Sequence, residues 1–479
     1  MRKGIDMKKL VGTVLASLAA VSAAKAQSLE DRVTELEVNQ SLNIFKFSGA
    51  LINRYDNLKS KSEISALSYN AESAANTMRM KFQFNIDADI SSKLKFYSTL
   101  VTTKSWNLFA RQDDDLYRSY FNWYPELMTS SEYRENLVKL EKAYFDYSIL
   151  PELAFSMGRL PTSYGSPTHM VEGRARMGTY PKLSYSAAVD GAALTYKIIK
   201  NEKRDLALRG VYVPFTTRNF SSPTATVNYR GFNKITTQPD VNTGYAVMLD
   251  YNMRDSFARE FNFIVQYMDL GTVRISDFKS TAGTYYSDSQ IALKFTNFHA
   301  EASDILDTGI SLALSYMATS LNSKGCFYKD TTDNGTATDS TCVGGFYANA
   351  NATATGVDKD LSGSIMLATL TYRLPIDFMN RPTLGVEYQQ GSDEATGYDW
   401  ASDNLTGFYV NRGTGYHLFY NQKLEDNLTF ILGYMHSESK INPVLSLGPS
   451  KTPNSTIGAL SDYMKTTYDN VYTSLRLDF

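Results

Sequence analysis

Long apolar runs are missing from this chain of 479 residues, and its mean hydropathy is only −0.30. A bundle of membrane-spanning helices is therefore excluded, because each such helix needs about 20 consecutive apolar residues. An excess of charge of one sign is also missing. The formal net charge is −2, so no basic excess indicates nucleic acid as a partner.

Tyrosine and phenylalanine are abundant instead, with 33 and 25 copies, in segments where apolar and polar residues alternate. In the clearest segment, Met78 and Phe82 fall on one face of a strand, and Arg79 and Lys81 fall on the other. A soluble sandwich would bury the apolar face in its core. A membrane barrel would turn that face to lipid and the charged face to a water-filled lumen. One strand does not separate these interpretations.

Alternation and chain breaks predict 16 strands, at 44–55, 77–89, 93–103, 141–149, 153–160, 188–199, 204–214, 242–254, 258–270, 284–298, 305–320, 361–374, 381–390, 414–424, 427–438 and 467–479. The connections alternate between short turns, such as 425–426, and long loops, such as 321–360. Outer-membrane barrels have this asymmetry, with tight periplasmic turns and extended extracellular loops. We therefore predict an all-β fold, a transmembrane antiparallel β-barrel of about 16 strands over 43–479, preceded by a short N-terminal periplasmic helix.

The first residues predict export from a Gram-negative cell to its outer membrane. Basic residues at positions 2, 3, 8 and 9 precede an apolar run, and small residues flank Lys25. This is typical of a signal peptide, 1–26, cleaved after Ala26. In the next segment, 27–42, apolar residues at helical spacing predict a short helix covered with charge. A solvated helix and a small periplasmic coiled coil joining barrel copies are both open interpretations.

The last predicted strand has a distinctive pattern. Leu475, Leu477 and Phe479 share one face, and Arg476 lies on the other. An apolar alternation that ends in phenylalanine resembles the signal by which the barrel-assembly machinery recognises its substrates. We expect those three apolar residues to act as that assembly signal. The alternative is an ordinary edge strand that ends in phenylalanine by chance.

A barrel of about 16 strands is wide enough for an aqueous channel, so selectivity requires a narrowing. The third long loop, 161–187, is the candidate because three prolines and three glycines define its bends. Three cations there, together with Arg159 on the strand just before, face a single acid, and cations at a constriction attract anions. We predict a pore constriction with mild anion preference made of Arg159, Glu172, Arg174, Arg176 and Lys182. Salt bridges to the barrel wall, or lipopolysaccharide binding outside, are the alternatives, and the alternation of 153–160 does not decide whether Arg159 faces the lumen.

These features together resemble the bacterial general and substrate-selective porins. The stretch Phe155-Ser-Met-Gly-Arg159, followed by Ser163-Tyr-Gly165, is similar to a segment of the phosphate-selective porins. The segment 155–182 also resembles an uncharacterised family of proteobacterial barrels that share Gly-Arg-x-Pro-Thr-Ser and Arg-Met-Gly-Thr-Tyr-Pro patterns. The resemblance implies homotrimers and a third loop folded into the pore. The chain lacks a dense lysine ladder, so phosphate selectivity is not expected.

Cys326 and Cys342 lie in one predicted extracellular loop. In an exported chain, two such cysteines predict a disulfide, worth about 3 kcal/mol through its restriction of the unfolded chain. Two free thiols are the alternative. Aspartates in the same loop fit no known calcium-loop spacing, so no metal is expected.

We expect no enzyme and no cofactor. The histidines are scattered, and Glu438 stands where a barrel phospholipase would need serine after His436. The predicted function is a porin for passive diffusion of small hydrophilic solutes, in contact with outer-membrane lipid and lipopolysaccharide. The alternative is a structural or adhesive barrel, or a surface receptor with long loops, and planar-bilayer conductance would separate the two.

Overall fold

The computed structural model describes residues 44–64, 69–106, 138–184, 186, 188–216, 228–229, 232–234, 241–276, 278–280, 284–324, 327–330, 359–397, 399, 403–439 and 465–479. The predicted signal peptide 1–26 and periplasmic helix 27–42 lie outside these residues. Cys326 and Cys342 also lie outside them. All of these stay predictions.

Sixteen antiparallel strands form a closed barrel, which confirms the predicted fold class. Each pairs with its neighbours in the chain, and β1 pairs with both β2 and β16, so the barrel has no free edge. Closure matters in lipid, where an open edge would leave backbone groups unpaired. The strands are β1 Phe45–Ile64, β2 Tyr69–Asp89, β3 Leu94–Ser105, β4 Lys139–Ser148, β5 Leu153–Leu160, β6 Val189–Lys200, β7 Arg204–Thr216, β8 Val241–Arg254, β9 Ala258–Ser276, β10 Thr284–Ile305, β11 Ile310–Lys324, β12 Lys359–Arg373, β13 Thr383–Gly391, β14 Gly413–Glu425, β15 Leu428–Ser439 and β16 Lys465–Asp478.

The seam between the first and last strands is in register from Ala50 opposite Asp478 to Glu63 opposite Lys465. Beyond Ala50 and Asp478, the backbone N–H of Gly49 donates to the oxygen of Phe479 at 2.8 Å. The N–H of Phe479 donates to the oxygen of Gly49 at 3.1 Å. A Cβ atom at Gly49 would lie 2.5 Å from the backbone oxygen of Gln83 on β2, so glycine is needed there for β1 and β2 to approach.

Side-chain directions in β2 and β16 match the predicted alternation. In β2, Met78 and Phe82 are exposed outward, whereas Arg79 and Lys81 are buried inside the barrel. In β16, the outward residues are Val471, Leu475, Leu477 and Phe479, and the inward ones include Tyr472 and Arg476. This is the reverse of a soluble sandwich and the arrangement expected of a membrane barrel.

The hairpin of β1 and β2 is longer than the sequence predicts. The strands extend to Ile64 and begin at Tyr69, so most of the predicted loop 56–76 is strand. The outer part of this hairpin carries polar residues on both faces, including Asn57 and Ser60. Without one apolar face the hydrophobic period of two disappears, although the backbone ladder continues.

The turn between β10 and β11 lies later than predicted. The sequence indicated a turn from Ala300 to Asp304, but the turn occupies Leu306–Gly309, where three residues have positive φ. Glu301 lies inside β10. Its carboxylate faces the lumen, where it contacts His169 and His299.

Few other elements occur among the described residues. Helix α1 spans Thr168–Glu172, and two 3-10 turns span Asp377–Met379 and Phe408–Val410. Three short strands, Asn228–Tyr229, Phe232–Lys234 and Phe278–Ser280, form a separate small sheet, and Phe327–Asp330 pairs with the outer end of β10. No helix in the described part of the chain is long and apolar enough to span a membrane.

Candidate functional site

The loop between β5 and β6, residues 161–188, folds into the barrel and reaches the opposite wall. We call it the first inner loop. The backbone oxygen of Val171 accepts a 3.0 Å hydrogen bond from Asn421 of β14, and that of Glu172 accepts a 2.7 Å bond from Arg476 of β16. Gly173 ends α1 with φ of 64°, in direct contact with the Asn421 side chain. The loop therefore crosses the lumen, as the resemblance to porins implied.

A second attachment lies on β10. His169 Nε2 is 2.9 Å from one oxygen of Glu301, and His299 Nε2 is 3.3 Å from the other. His299 is fully buried and also contacts the hydroxyl of Ser315 at 2.7 Å. This cluster holds α1 against the wall. No group of three or more metal-binding side chains was found in the described ranges.

The predicted loop residues lie in the lumen, but each cation has an acidic partner. Arg174 forms an ion pair with Glu172 in the same loop, and Arg176 lies 3.7 Å from Asp250 of β8. Lys182 pairs with Asp399 at 2.6 Å. Their charges are therefore largely neutralised, but only Arg176 makes the salt bridge to the barrel wall that the alternative expected, whereas Arg174 and Lys182 pair with acids of the loops.

Arg159 does not join this group. It lies opposite Asp190 of β6, whose carboxylate accepts hydrogen bonds of 2.8 and 2.9 Å from its guanidinium. Their face also carries the exposed Met157 and Leu194, and it is therefore the outer face of the barrel. The structure corrects the prediction that Arg159 belongs to the constriction. Strand β5 has only eight residues and apolar side chains on both faces, so alternation could not assign its direction.

The sequence reasoning missed a second loop that enters the lumen, residues 392–412 between β13 and β14. We call it the second inner loop. The backbone N–H of Thr396 donates to Thr319 of β11 at 3.2 Å, and the hydroxyl of Tyr409 donates to Glu387 of β13 at 3.1 Å. Phe408 is fully buried. The adjacent aromatic residues 408 and 409, in a loop otherwise rich in polar residues, were the available signal.

Both loops rest on an apolar part of the inner wall. Its side chains come from consecutive strands β8 to β12, and all are buried: Met248, Ile264, Met268, Phe295, Met317, Leu321, Ile365 and Leu367. They pack with Tyr180 and Leu183 of the first inner loop and with Phe408 and Tyr409 of the second. These strands are therefore apolar on both faces in this sector, which departs from the expected polar lumen.

A cavity of about 100 Å³ separates the loops from the wall made by β1, β2, β15 and β16. Five cations line it, Arg54, Arg79, Lys81, Lys182 and Arg476, together with the acids Glu172 and Asp403. Asp56 lies fully buried behind it, accepting hydrogen bonds from Arg54, Arg79 and Asn470. This sector of the lumen is charged, unlike the apolar one.

The inner wall of β2 to β7 carries polar side chains that the two loops leave partly exposed. Tyr97 and Tyr144 stack with ring centroids 5.1 Å apart, and Asp146 accepts a hydrogen bond from Ser156. Arg209 of β7 donates to Thr195 at 3.0 Å. Partial exposure of these inward groups indicates space for water on this side of the lumen.

Burial changes the acidity of several loop groups. It raises the pKa of Tyr180 to about 12 and that of Tyr409 well above its ordinary value, so both hydroxyls stay neutral. For Asp403, burial opposes ionisation, but the charges of Lys81 and Arg79 outweigh it and lower the pKa. The carboxylate is therefore charged at neutral pH.

The family described as "Protein of unknown function (DUF3373)" matches residues 71–441, and the chain belongs to this family. A comparison with curated proteins finds no match.

Among solved structures, the chain is similar to Pseudomonas putida OprB at high pH, with 10% identity, coverage of 93% and 96% of the two chains and a TM-score of 0.46. It is also similar to Salmonella typhi OmpF in complex with daunomycin, with 11% identity, coverage of 91% and 97% and a TM-score of 0.42. A mutant of the Rh. blastica porin gives 11% identity, coverage of 91% and 100% and a TM-score of 0.38.

Proposed function

We propose that the protein is an outer-membrane porin that lets small hydrophilic solutes diffuse through a lumen narrowed by two inner loops. The observation that carries the proposal is the closed barrel of 16 strands with apolar side chains outside and charged side chains inside. Barrels of about this size are wide enough for an aqueous channel. The two inner loops supply the narrowing that such a wide barrel needs for selectivity.

A mild anion preference belongs to the proposal, with its source moved from the first inner loop to the wall. The cations of that loop each pair with an acid, whereas on the wall Arg54 and Arg79 share the single carboxylate of Asp56. Arg54 has an Nη2 atom that is buried without a hydrogen-bond partner. A net positive surface in a lumen of lowered dielectric favours anions.

Planar-bilayer recording tests both statements. Purified protein should give stable single-channel conductance steps. Under a potassium chloride gradient, the reversal potential should have the sign expected when chloride permeates more readily than potassium. Arg54→Gln should move that potential toward zero more than Arg176→Gln does, because Arg54 shares the single carboxylate of Asp56 with Arg79, whereas Arg176 pairs with Asp250. An equal shift would contradict the wall as the main source, a larger shift for Arg176→Gln would place the preference back on the loop, and no shift for either would remove the anion preference.

The alternative function is a structural or adhesive barrel, and one observation favours it. The apolar cluster between the loops and strands β8 to β12 excludes water from part of the lumen. A barrel blocked in this way would show no stable conductance at any voltage. The same recording therefore decides between the two functions.

The remaining partners are proposals of the same kind. We propose assembly into homotrimers, recognition of Leu475, Leu477 and Phe479 by the barrel-assembly machinery, and contact with lipopolysaccharide. The three apolar residues are exposed on the outer face, which is compatible with recognition before insertion.

Chemical cross-linking in membranes tests the trimer, and Phe479→Ala should lower the assembled fraction if the terminal residue is recognised. N-terminal sequencing of the exported protein tests cleavage after Ala26.

A further inference from the structure

The two inner loops touch each other at a buried ion pair. Lys182 of the first loop and Asp399 of the second lie 2.6 Å apart, and their side chains are 2% and 4% exposed. Next to the pair, Ser186 and Asp399 form a parallel β-bridge. Lys182 also donates to Ser186 at 3.2 Å and lies over the ring of Tyr409 at 5.0 Å. The contact therefore combines backbone pairing, an ion pair and an aromatic face.

A wall residue joins the same two loops from the other side. The ammonium of Lys81 on β2 contacts the hydroxyl of Tyr164 in the first loop and the carboxylate of Asp403 in the second, the latter at 3.0 Å. Arg79 donates to the backbone oxygen of Asp403 at 3.0 Å. The loops thus meet across the lumen and are fixed as one unit against β2.

We propose that the two inner loops form a single composite constriction, and that the Lys182–Asp399 pair is the positioning contact that sets its width. The inference rests on the proposed pore function and adds to it a second loop and a specific pair. Lys182 is assigned to positioning rather than to charge selection, because its charge is cancelled by a carboxylate at contact distance. Asp399 is assigned a role that the sequence did not indicate.

The expected effect of breaking the pair is large. Removing one partner of a buried ion pair leaves an uncompensated buried charge, and such losses shift a docking equilibrium by roughly two orders of magnitude or more. The loops should then undock for part of the time. Each undocked period should appear as a larger-conductance state, which the wild-type protein visits rarely.

Single-channel recording of four proteins tests this. Asp399→Asn and Lys182→Met should each add a larger-conductance state, and the charge reversal Lys182→Asp with Asp399→Lys should reduce the time spent in it. The matched control is Asp377→Asn, which breaks an ion pair with Arg381 on an exposed turn. That control should record like wild type.

A second measurement does not need conductance. In a background with Cys326→Ser and Cys342→Ser, Ser186→Cys places a thiol at a position that is fully buried between the loops. Maleimide should label it slowly in the folded barrel and at least about tenfold faster when Asp399→Asn is added. The heat-modifiable shift in electrophoretic mobility identifies the folded fraction, so only folded barrels are counted.

The outcomes separate this inference from the proposed function. Larger conductance steps and faster labelling in the variants would support it. Wild-type conductance together with unchanged labelling in Asp399→Asn would overturn it and leave the porin function standing. If no protein conducts, the porin function fails, and the labelling rates alone decide whether the pair positions the loops.

Discussion

Two sectors of the inner wall hold the inner loops by different means. On β8 to β12 the loops rest on buried apolar side chains such as Phe295 and Leu367. On β1, β2 and β16 they meet arginine and lysine side chains around a cavity. Apolar contact excludes water and carries no direction, whereas charged groups need partners or water in fixed geometry. The comparison indicates that the apolar sector anchors the loops, so in the proposed porin the solutes would pass along polar surfaces elsewhere.

The largest effect should come from the charged sector. Asp56→Asn removes a fully buried carboxylate that Arg54 and Arg79 both bind, leaving two cations uncompensated. We expect the free energy of unfolding to fall by about 3–5 kcal/mol, measured by urea unfolding in detergent micelles. Asp426→Asn, on an exposed turn, is the control. Equal stability of the two variants would mean that this network contributes little.

The apolar sector should show a comparable but more variable loss. Leu183→Ala removes a buried side chain of the first inner loop, and such deletions cost about 2–5 kcal/mol depending on how well the site collapses. Leu306→Ala, at an exposed turn, should change nothing. Urea unfolding measures the loss. If Leu183→Ala matched its control, the loop would not depend on the apolar sector.

A smaller effect is expected at the far end of the first inner loop. Asn421→Ala removes the hydrogen bond to Val171, with a net contribution of about 1 kcal/mol. The barrel should stay intact, and open-channel current noise should rise. Quiet recordings indistinguishable from wild type would show that the other attachments suffice.

The smallest effect is an acid response of the second inner loop. The pKa of Asp403 is lowered in the folded protein, so its ionised form stabilises the docked loop at neutral pH. This stabilisation is lost as the pH falls below about 4, through the lowered pKa. Current noise should therefore rise only in acid, and less so in Asp403→Asn, which lacks the charge from the start. An acid response of equal size in that variant would assign it to other carboxylates.

The barrel was readable from the sequence because its signal is local. Alternation along 78–89 and the regular spacing of turns depend only on near neighbours in the chain. The first inner loop was also predictable, since its prolines and glycines define bends. Alternation failed where it carries no information. On β5, with apolar residues on both faces, it did not place Arg159, and on the polar hairpin of β1 and β2 it ended too early.

The constriction was less predictable because its partners are distant in the chain. Nothing near Lys182 in the sequence indicates that Asp399 neutralises it, and nothing near Asp403 indicates Lys81. The apolar inner wall of β8 to β12 was hard to predict for the same reason, because the residues that cover it are distant in the chain. Met248 and Ile264 face inward, and their apolar side chains are covered by loops from other parts of the chain. A rule of polar inside and apolar outside could not foresee that.

Swelling of liposomes loaded with the purified protein tests the central claim most directly. Neutral sugars of increasing size should enter at rates that fall steeply with size, with the smallest entering freely and oligosaccharides excluded by the inner loops. Failure of even the smallest sugar to enter, with protein that is folded and inserted, would show that the lumen is closed and would contradict the assignment as a porin.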